Sequence, residues 1–203
     1  MWVPIALSRD VPEGTTRAVL LDGRELVAWR AASGSVQVWE DRCPHRGMRL
    51  SFGFVRGDAL NCLYHGWQYG AGASCQRIPA HPDLTVPNTI KANAYPAVER
   101  GGMIWTREGA ETAAPDLPDA TPLASLAVDA AADAILALCA AAPQGSAQVF
   151  AVDLDKMTFQ LGWHDIGDNR TMLHASLRGP GDPVTALTAL WSLRARAEAK
   201  VAA

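Results

Sequence analysis

Two short segments of this 203-residue chain carry Cys and His at spacings that suit a metal centre. The first reads Cys43-Pro44-His45-Arg46-Gly47, and the second reads Cys62-Leu63-Tyr64-His65-Gly66-Trp67. Two thiolates and two imidazoles form the ligand set of a [2Fe–2S] cluster in which one iron takes two Cys and the other takes two His. Both segments must then form tight loops, and Gly47 and Gly66 follow the ligands where the backbone has to turn.

A tetrahedral zinc site is the alternative, because two Cys and two His are also a zinc ligand set. Zinc fingers place their two Cys in one segment and their two His in the other. Here each segment contains one Cys and one His. The mixed pairing favours the [2Fe–2S] cluster.

The same residues resemble a known family. Cys-Pro-His-Arg-Gly followed by Cys-x-Tyr-His-Gly-Trp is similar to the Rieske domain of Rieske non-haem iron oxygenases, which hydroxylate rings or demethylate. The resemblance extends over roughly residues 1–110, from a first strand at Trp2–Leu7 to a closing strand at Met103–Trp105. It implies that Cys43 and Cys62 bind one iron, and that His45 and His65 bind the other.

The resemblance also narrows the type of cluster. Respiratory Rieske proteins carry an additional Cys in each loop, and these two form a disulfide over the cluster. Met48 and Tyr64 occupy the corresponding positions here. We therefore expect a reduction potential near the lower end of the Rieske range, about −150 mV. Such a centre would accept electrons from a flavin or ferredoxin reductase and pass them on.

Composition limits the remaining classes of function. Hydrophobic residues make up 49% and charged residues 19% of the chain, which is typical of a globular protein. The net charge is −3 without a run of Lys or Arg, so nothing supports binding to nucleic acid or to an anionic membrane. The first residues lack the pattern of a signal peptide. We expect a cytoplasmic location.

Short β-prone runs separated by Gly and Pro predict a mainly β domain of antiparallel sheets at residues 1–109, with a hairpin formed by Leu26–Arg30 and Val36–Glu40. We expect a linker at residues 110–122. Residues 123–203 are expected to form a small α+β domain that resembles a truncated helix-grip domain. In that domain we expect a helix over Leu123–Ala142 and a second over Pro183–Ala199. Three strands between them are predicted at Gln148–Leu154, Thr158–Trp163 and Thr171–Leu177.

An oxygenase of the resembled family also needs a mononuclear iron held by two His and one carboxylate. Its motif, Asp-x-x-His-x-x-x-x-His, is not found after residue 110. His164 and His174, with Asp165 or Asp168, could be drawn as a substitute. However, Asp168 follows Gly167 in a typical turn, and histidines of a strand meander more often face solvent or are satisfied in the core.

Three hypotheses follow for function. The leading one is an electron-transfer subunit of a hetero-oligomeric oxygenase, which works with a reductase or ferredoxin and with an iron-bearing partner subunit. The second is a small monooxygenase with its own iron at His164 and His174. The third is a degenerate subunit that keeps the cluster for assembly or redox sensing. Arg46, Tyr64 and Trp67 are expected to surround the cluster, where they would tune it, contact a partner or only pack.

Overall fold

The protein is described by a computed structural model that covers residues 1–107, 109, 113–143 and 147–201. Fifteen strands and two α-helices lie within these residues. The strands are β1 Trp2–Leu7, β2 Thr16–Leu21, β3 Arg24–Arg30, β4 Val36–Glu40, β5 Phe54–Arg56, β6 Ala59–Asn61, β7 Gln68–Tyr69, β8 Cys75–Arg77, β9 Ala94–Tyr95, β10 Ala97–Arg100, β11 Met103–Arg107, β12 Thr121–Val128, β13 Val149–Leu154, β14 Met157–Gly167 and β15 Arg170–Arg178. The helices are α1 Ala132–Leu138 and α2 Pro183–Val201.

Two compact units divide the chain. We call residues 10–20 and 24–97 the loop unit, and residues 1–9, 21–23 and 98–203 the sheet unit. The predicted boundaries at 109 and 122 stay a prediction, and residues 110–112 of the predicted linker lie outside the described residues.

The loop unit consists of two four-stranded antiparallel sheets, with strand orders β2-β3-β4-β9 and β5-β6-β7-β8. The predicted hairpin is confirmed, because β3 and β4 pair with Val27 opposite Trp39. Trp29 and Trp39 are fully buried and pack edge to face at 4.9 Å between ring centroids. Large apolar side chains on alternating strand positions thus form the core that supports both ligand segments.

The sheet unit contains a four-stranded sheet of order β12-β15-β14-β13 and a three-stranded sheet of order β1-β11-β10. The three predicted strands of the meander and the second helix are confirmed, and β14 and β15 are longer than expected. Helix α2 buries Ala186, Leu190, Leu193 and Ala197, which follow one another at helical spacing. Asp182 caps this helix, because its carboxylate accepts the Thr185 N–H at 2.8 Å.

The predicted helix over Leu123–Ala142 is wrong. Thr121–Val128 forms strand β12, whose first two residues fall inside the predicted linker, and only Ala132–Leu138 is helical. Antiparallel pairing with β15 places Leu126 opposite Leu173 and Val128 opposite Thr171, and buries both apolar side chains. Burial in the sheet therefore overrides the helix propensity of an Ala- and Leu-rich segment.

The mainly β fold with antiparallel sheets and an α+β C-terminal part is confirmed. Within the described residues, no helix combines the length and the apolar character that crossing a bilayer would need.

Candidate metal centre

The two Cys/His segments adopt the same backbone turn. In the first, which follows β4, the Cys43 N–H donates to the Met48 carbonyl at 2.8 Å and the Gly47 N–H donates to the Cys43 carbonyl at 2.8 Å. In the second, between β6 and β7, the Cys62 N–H donates to Trp67 at 2.9 Å and the Gly66 N–H donates to Cys62 at 3.0 Å. Both turns therefore close from the Cys to the fourth and fifth residues after it.

Glycine is needed at the fourth residue after the Cys of each turn. Gly47 and Gly66 have φ of 72° and 69°, the left-handed region that favours glycine. A Cβ on Gly66 would also lie only 3.1 Å from Pro79 Cγ. The prediction that glycines allow tight turns beside the ligands is confirmed.

The turns bring the four potential ligands close to one another. The ring centroids of His45 and His65 are 4.6 Å apart, and Cys43 lies close enough to Cys62 to contribute to the raised pKa of its thiol. Both cysteines are 2% exposed, whereas His45 is half-buried and His65 exposed. The cysteines thus form an inner pair and the histidines an outer pair.

This arrangement suits a binuclear cluster. The donors stand as two pairs, and a [2Fe–2S] cluster with two thiolates on one iron and two imidazoles on the other requires this division. The residues present therefore fit such a cluster.

Burial adjusts the protonation of the site. It raises the pKa of the Cys62 thiol, an effect that Cys43 reinforces and that backbone hydrogen bonds from Tyr64 and His65 oppose. Burial also lowers the pKa of His45, with His65 and Arg46 adding to the effect. A lowered pKa keeps this imidazole neutral, which is the form that binds a metal.

Tyr69 contacts the site, although it was not among the predicted residues. Its hydroxyl lies 3.1 Å from Cys43 Sγ, and its ring packs edge to face on Trp39 at 6.5 Å between ring centroids. Burial first, and then the hydrogen bond to Cys43, raises the pKa of Tyr69 well above its ordinary value. The phenol therefore stays protonated and can donate to the sulfur. The signal in the sequence was its position on β7, two residues after Trp67.

The three residues predicted around the cluster all lie beside the histidines. The Trp67 ring stacks on His45, with 4.2 Å between ring centroids and 6° between planes. The Tyr64 ring is 3.8 Å from that of His65, and Tyr64 is 58% exposed. Arg46 is exposed and acts electrostatically on His45.

The second pair of histidines lies in the sheet unit. His164 on β14 and His174 on β15 are each 1% exposed, with ring centroids 5.1 Å apart. Their nearest nitrogens, His164 Nδ1 and His174 Nε2, are 3.2 Å apart. The two histidines approach each other because the register places His174 opposite Gly162, two residues from His164.

The pair is already satisfied by hydrogen bonds, as expected for core histidines. His164 Nδ1 lies 2.8 Å from the Pro4 carbonyl oxygen, and His174 Nδ1 lies 2.8 Å from Ser125 Oγ. Asp165 is exposed and accepts the Gly167 N–H, and Asp168 is exposed beside Arg170. The structure therefore does not bring either carboxylate to the two histidines.

In comparison with known proteins, residues 1–92 match the Rieske [2Fe–2S] domain family. "Oxidoreductase NdmD" of Pseudomonas putida is 41% identical over 147 residues, which are 68% of this chain and 25% of that protein. The 3-chlorobenzoate-3,4-dioxygenase oxygenase subunit of Comamonas testosteroni is 37% identical over 119 residues, 58% of this chain and 28% of that protein. This chain therefore spans about a quarter of the length of these curated relatives.

A solved structure of a mutant NdmA of Pseudomonas putida CBB5 with theobromine shares the fold. It superposes with a TM-score of 0.76 at 19% identity, over 98% of this chain and 80% of NdmA. The likeness extends beyond the matched domain and includes the sheet unit.

Proposed function

We propose, from the match of residues 1–92 to the Rieske [2Fe–2S] domain family, that this chain is the electron-transfer component of a Rieske oxygenase system. The cofactor that this match implies is a Rieske-type cluster. The family and the cofactor confirm what the two Cys/His segments predicted. Cys43 and Cys62 would hold one iron, and His45 and His65 the other. The electron would come from a reductase or ferredoxin and go to a mononuclear iron on a partner subunit of an oxygenase that hydroxylates or demethylates.

The observation that supports electron transfer most directly is the unequal burial of the ligands. The thiols of Cys43 and Cys62 lie in the core, whereas His65 is exposed and His45 borders the surface. A Rieske cluster takes up and releases one electron at a time, and the imidazoles would place the edge of the cluster within reach of another protein. Their outer nitrogens would be free to hydrogen-bond to that protein.

The residues around the ligands set the conditions for this transfer. The Tyr69 hydroxyl lies 3.1 Å from Cys43 Sγ and would donate to a cluster-bound thiolate, and hydrogen bonds to cluster sulfurs raise the reduction potential. Trp67 covers one face of His45 and keeps water from it. Met48 and Tyr64, at the positions where respiratory proteins have Cys, leave the potential in the low range.

A second candidate is a self-contained monooxygenase with iron at His164 and His174. The 3.2 Å separation of their nearest nitrogens favours it, since two ligands of one ion lie about that far apart. The positions of Asp165 and Asp168 away from the pair favour the first candidate instead, an electron relay without an iron of its own at these histidines. A degenerate subunit that uses the cluster for assembly or redox sensing is the third candidate.

The deciding experiment is the iron and acid-labile sulfide content of the chain purified anaerobically. We expect two irons and two sulfides per chain, and a third iron would support the monooxygenase. His65→Ala should then abolish both the cluster and the turnover of an iron-bearing oxygenase partner, whereas His81→Ala, at an exposed histidine outside both loops, should preserve both. Unchanged partner turnover in His65→Ala would contradict the relay and favour the degenerate subunit.

A further inference from the structure

The surface around the two outer histidines has two different sides. A groove of about 370 Å³ opens beside the first loop, and its charged and polar walls come from Glu40, Arg42, His45, Arg46, Lys91 and Asn93. The second loop instead presents apolar groups, because Leu63 is 59% and Tyr64 58% exposed next to His65. His45 therefore borders a polar groove, and His65 borders an apolar surface.

The groove is positively charged. Arg42, Arg46 and Lys91 are exposed, and within the part of the chain that the structure describes, none of the three forms an ion pair. The one carboxylate in the groove, Glu40, accepts a hydrogen bond from Asn93 Nδ2 at 2.5 Å. Three cations thus face a single carboxylate that an amide already engages.

The loop unit as a whole is also positively charged. The loop unit contains nine Lys and Arg against seven Asp and Glu, whereas the whole chain contains 18 against 21. The unit that has the cluster ligands therefore has a net charge of +2, whereas the rest of the chain, with nine Lys and Arg against fourteen Asp and Glu, has a net charge of −5. A groove with one sign of charge attracts partners of the opposite sign and can raise their association rate by about 10–1,000-fold.

We propose that this basic groove is the docking site of the electron donor, an acidic redox protein with carboxylates around its own [2Fe–2S] centre. The proposal rests on the proposed function and deepens it. One electron would pass from the reduced donor, by way of His45 at the groove, to the oxidised cluster that the four ligands would hold, so that the donor is oxidised and the cluster reduced by one electron. The apolar surface at His65 then remains available to the acceptor.

The test is stopped-flow reduction of the anaerobic, cluster-loaded chain by an acidic plant-type [2Fe–2S] ferredoxin that has been reduced beforehand. Its potential, near −400 mV, makes reduction of a Rieske cluster favourable. The second-order rate constant is measured in the wild type and in Arg46→Gln/Lys91→Gln, at salt concentrations of roughly 50 and 500 mM, because salt screens the attraction. We expect the rate constant of the double variant to be about tenfold or more below that of the wild type at low salt, and to differ little from it at high salt.

The matched control removes the same charge elsewhere in the loop unit. Arg56 and Arg77 are exposed and do not line the groove, so Arg56→Gln/Arg77→Gln changes the net charge equally. We expect it to stay within about twofold of the wild type, since surface charge changes away from a contact have small effects. Complete reduction by dithionite, with an unchanged visible spectrum and potential, shows that each variant has an intact cluster.

The remaining outcomes overturn the proposal in distinguishable ways. Equal slowing in the two double variants would mean that only net charge matters. It would refute the groove as the docking site and leave the proposed electron transfer standing. A wild-type rate that does not depend on salt would do the same. If dithionite reduces the wild-type cluster but the ferredoxin does not, both the docking site and the proposed electron relay are wrong.

Discussion

Two histidine pairs in this molecule have similar spacing and different surroundings. The ring centroids are 4.6 Å apart for His45 and His65, and 5.1 Å apart for His164 and His174. Behind the first pair lie two buried thiols, and in front of it lies the surface. The second pair is 1% exposed at each ring, and its nitrogens contact each other, Ser125 and the Pro4 carbonyl.

The comparison shows that proximity of imidazoles does not by itself make a metal centre. A centre also needs enough additional donors nearby, in a geometry that a metal ion or cluster can bridge. The loops at Cys43 and Cys62 meet these conditions. The pair on β14 and β15 instead has the hydrogen bonds by which a buried polar group remains stable in a core.

The largest effect should come from removing an inner ligand of the first pair. Cys62→Ser should lose nearly all iron and acid-labile sulfide, because a hydroxyl replaces a thiolate. Cys139→Ser, at a half-buried thiol of the sheet unit, is the control and should retain both. Full cluster content in Cys62→Ser would show that Cys62 is not a ligand.

The second pair should matter for stability instead. His174→Ala removes the partner of Ser125 Oγ and of His164 and leaves a cavity, so we expect a loss of about 2–4 kcal/mol in the free energy of unfolding. Urea unfolding measures this loss, and His81→Ala should change it by less than about 0.5 kcal/mol. The iron content should stay at two per chain. Loss of a third iron in His174→Ala would instead assign a metal to the second pair.

A smaller effect tests the backbone of the loops. Gly66→Ala should lower the free energy of unfolding by about 1–2 kcal/mol, because alanine is strained at φ 69° and its Cβ would press on Pro79. Gly57→Ala is the matched control, since Gly57 has φ 55° and open space around it. Equal losses in urea unfolding would mean that the Pro79 contact has no part in holding the second loop.

The smallest effect concerns the potential of the cluster. Tyr69→Phe removes the hydroxyl that lies 3.1 Å from Cys43 Sγ. A hydrogen bond from this hydroxyl stabilises the reduced cluster, which is the more negative form. A hydrogen bond of about 1 kcal/mol corresponds to roughly 40 mV for one electron, so the potential should fall by about that amount. Redox titration measures it, with Tyr95→Phe as the control. A potential that does not fall would show that Tyr69 only packs.

The ligand pairs could be predicted because each belongs to a single local turn. The spacing of Cys, His and Gly within five or six residues limits the backbone to a loop that closes on itself. Tyr69, in contrast, reaches a cysteine 26 residues earlier, and His164 contacts a carbonyl 160 residues away. Such contacts depend on how the strands pack, and neither motif nor periodicity contains that information.

The prediction of a helix from Leu123 onward was wrong for the same reason. The Ala and Leu content of this segment favours a helix locally, yet pairing with β15 makes most of its first half a strand. Local propensities are worth less than 1 kcal/mol per residue, whereas burial of Leu126 and Val128 contributes about 1.5–3 kcal/mol each. Tertiary packing therefore outweighs them.

By itself, the sequence determined the chemistry of this protein, a Rieske-type cluster, because types and spacings of ligands within short loops are local properties. The tertiary structure decided which histidines face the surface and which are buried and satisfied. It also gathered Arg42, Arg46 and Lys91 into one groove beside His45. Burial and charge clustering depend on residues far apart in the chain, so only the packing of the sheets could bring them about.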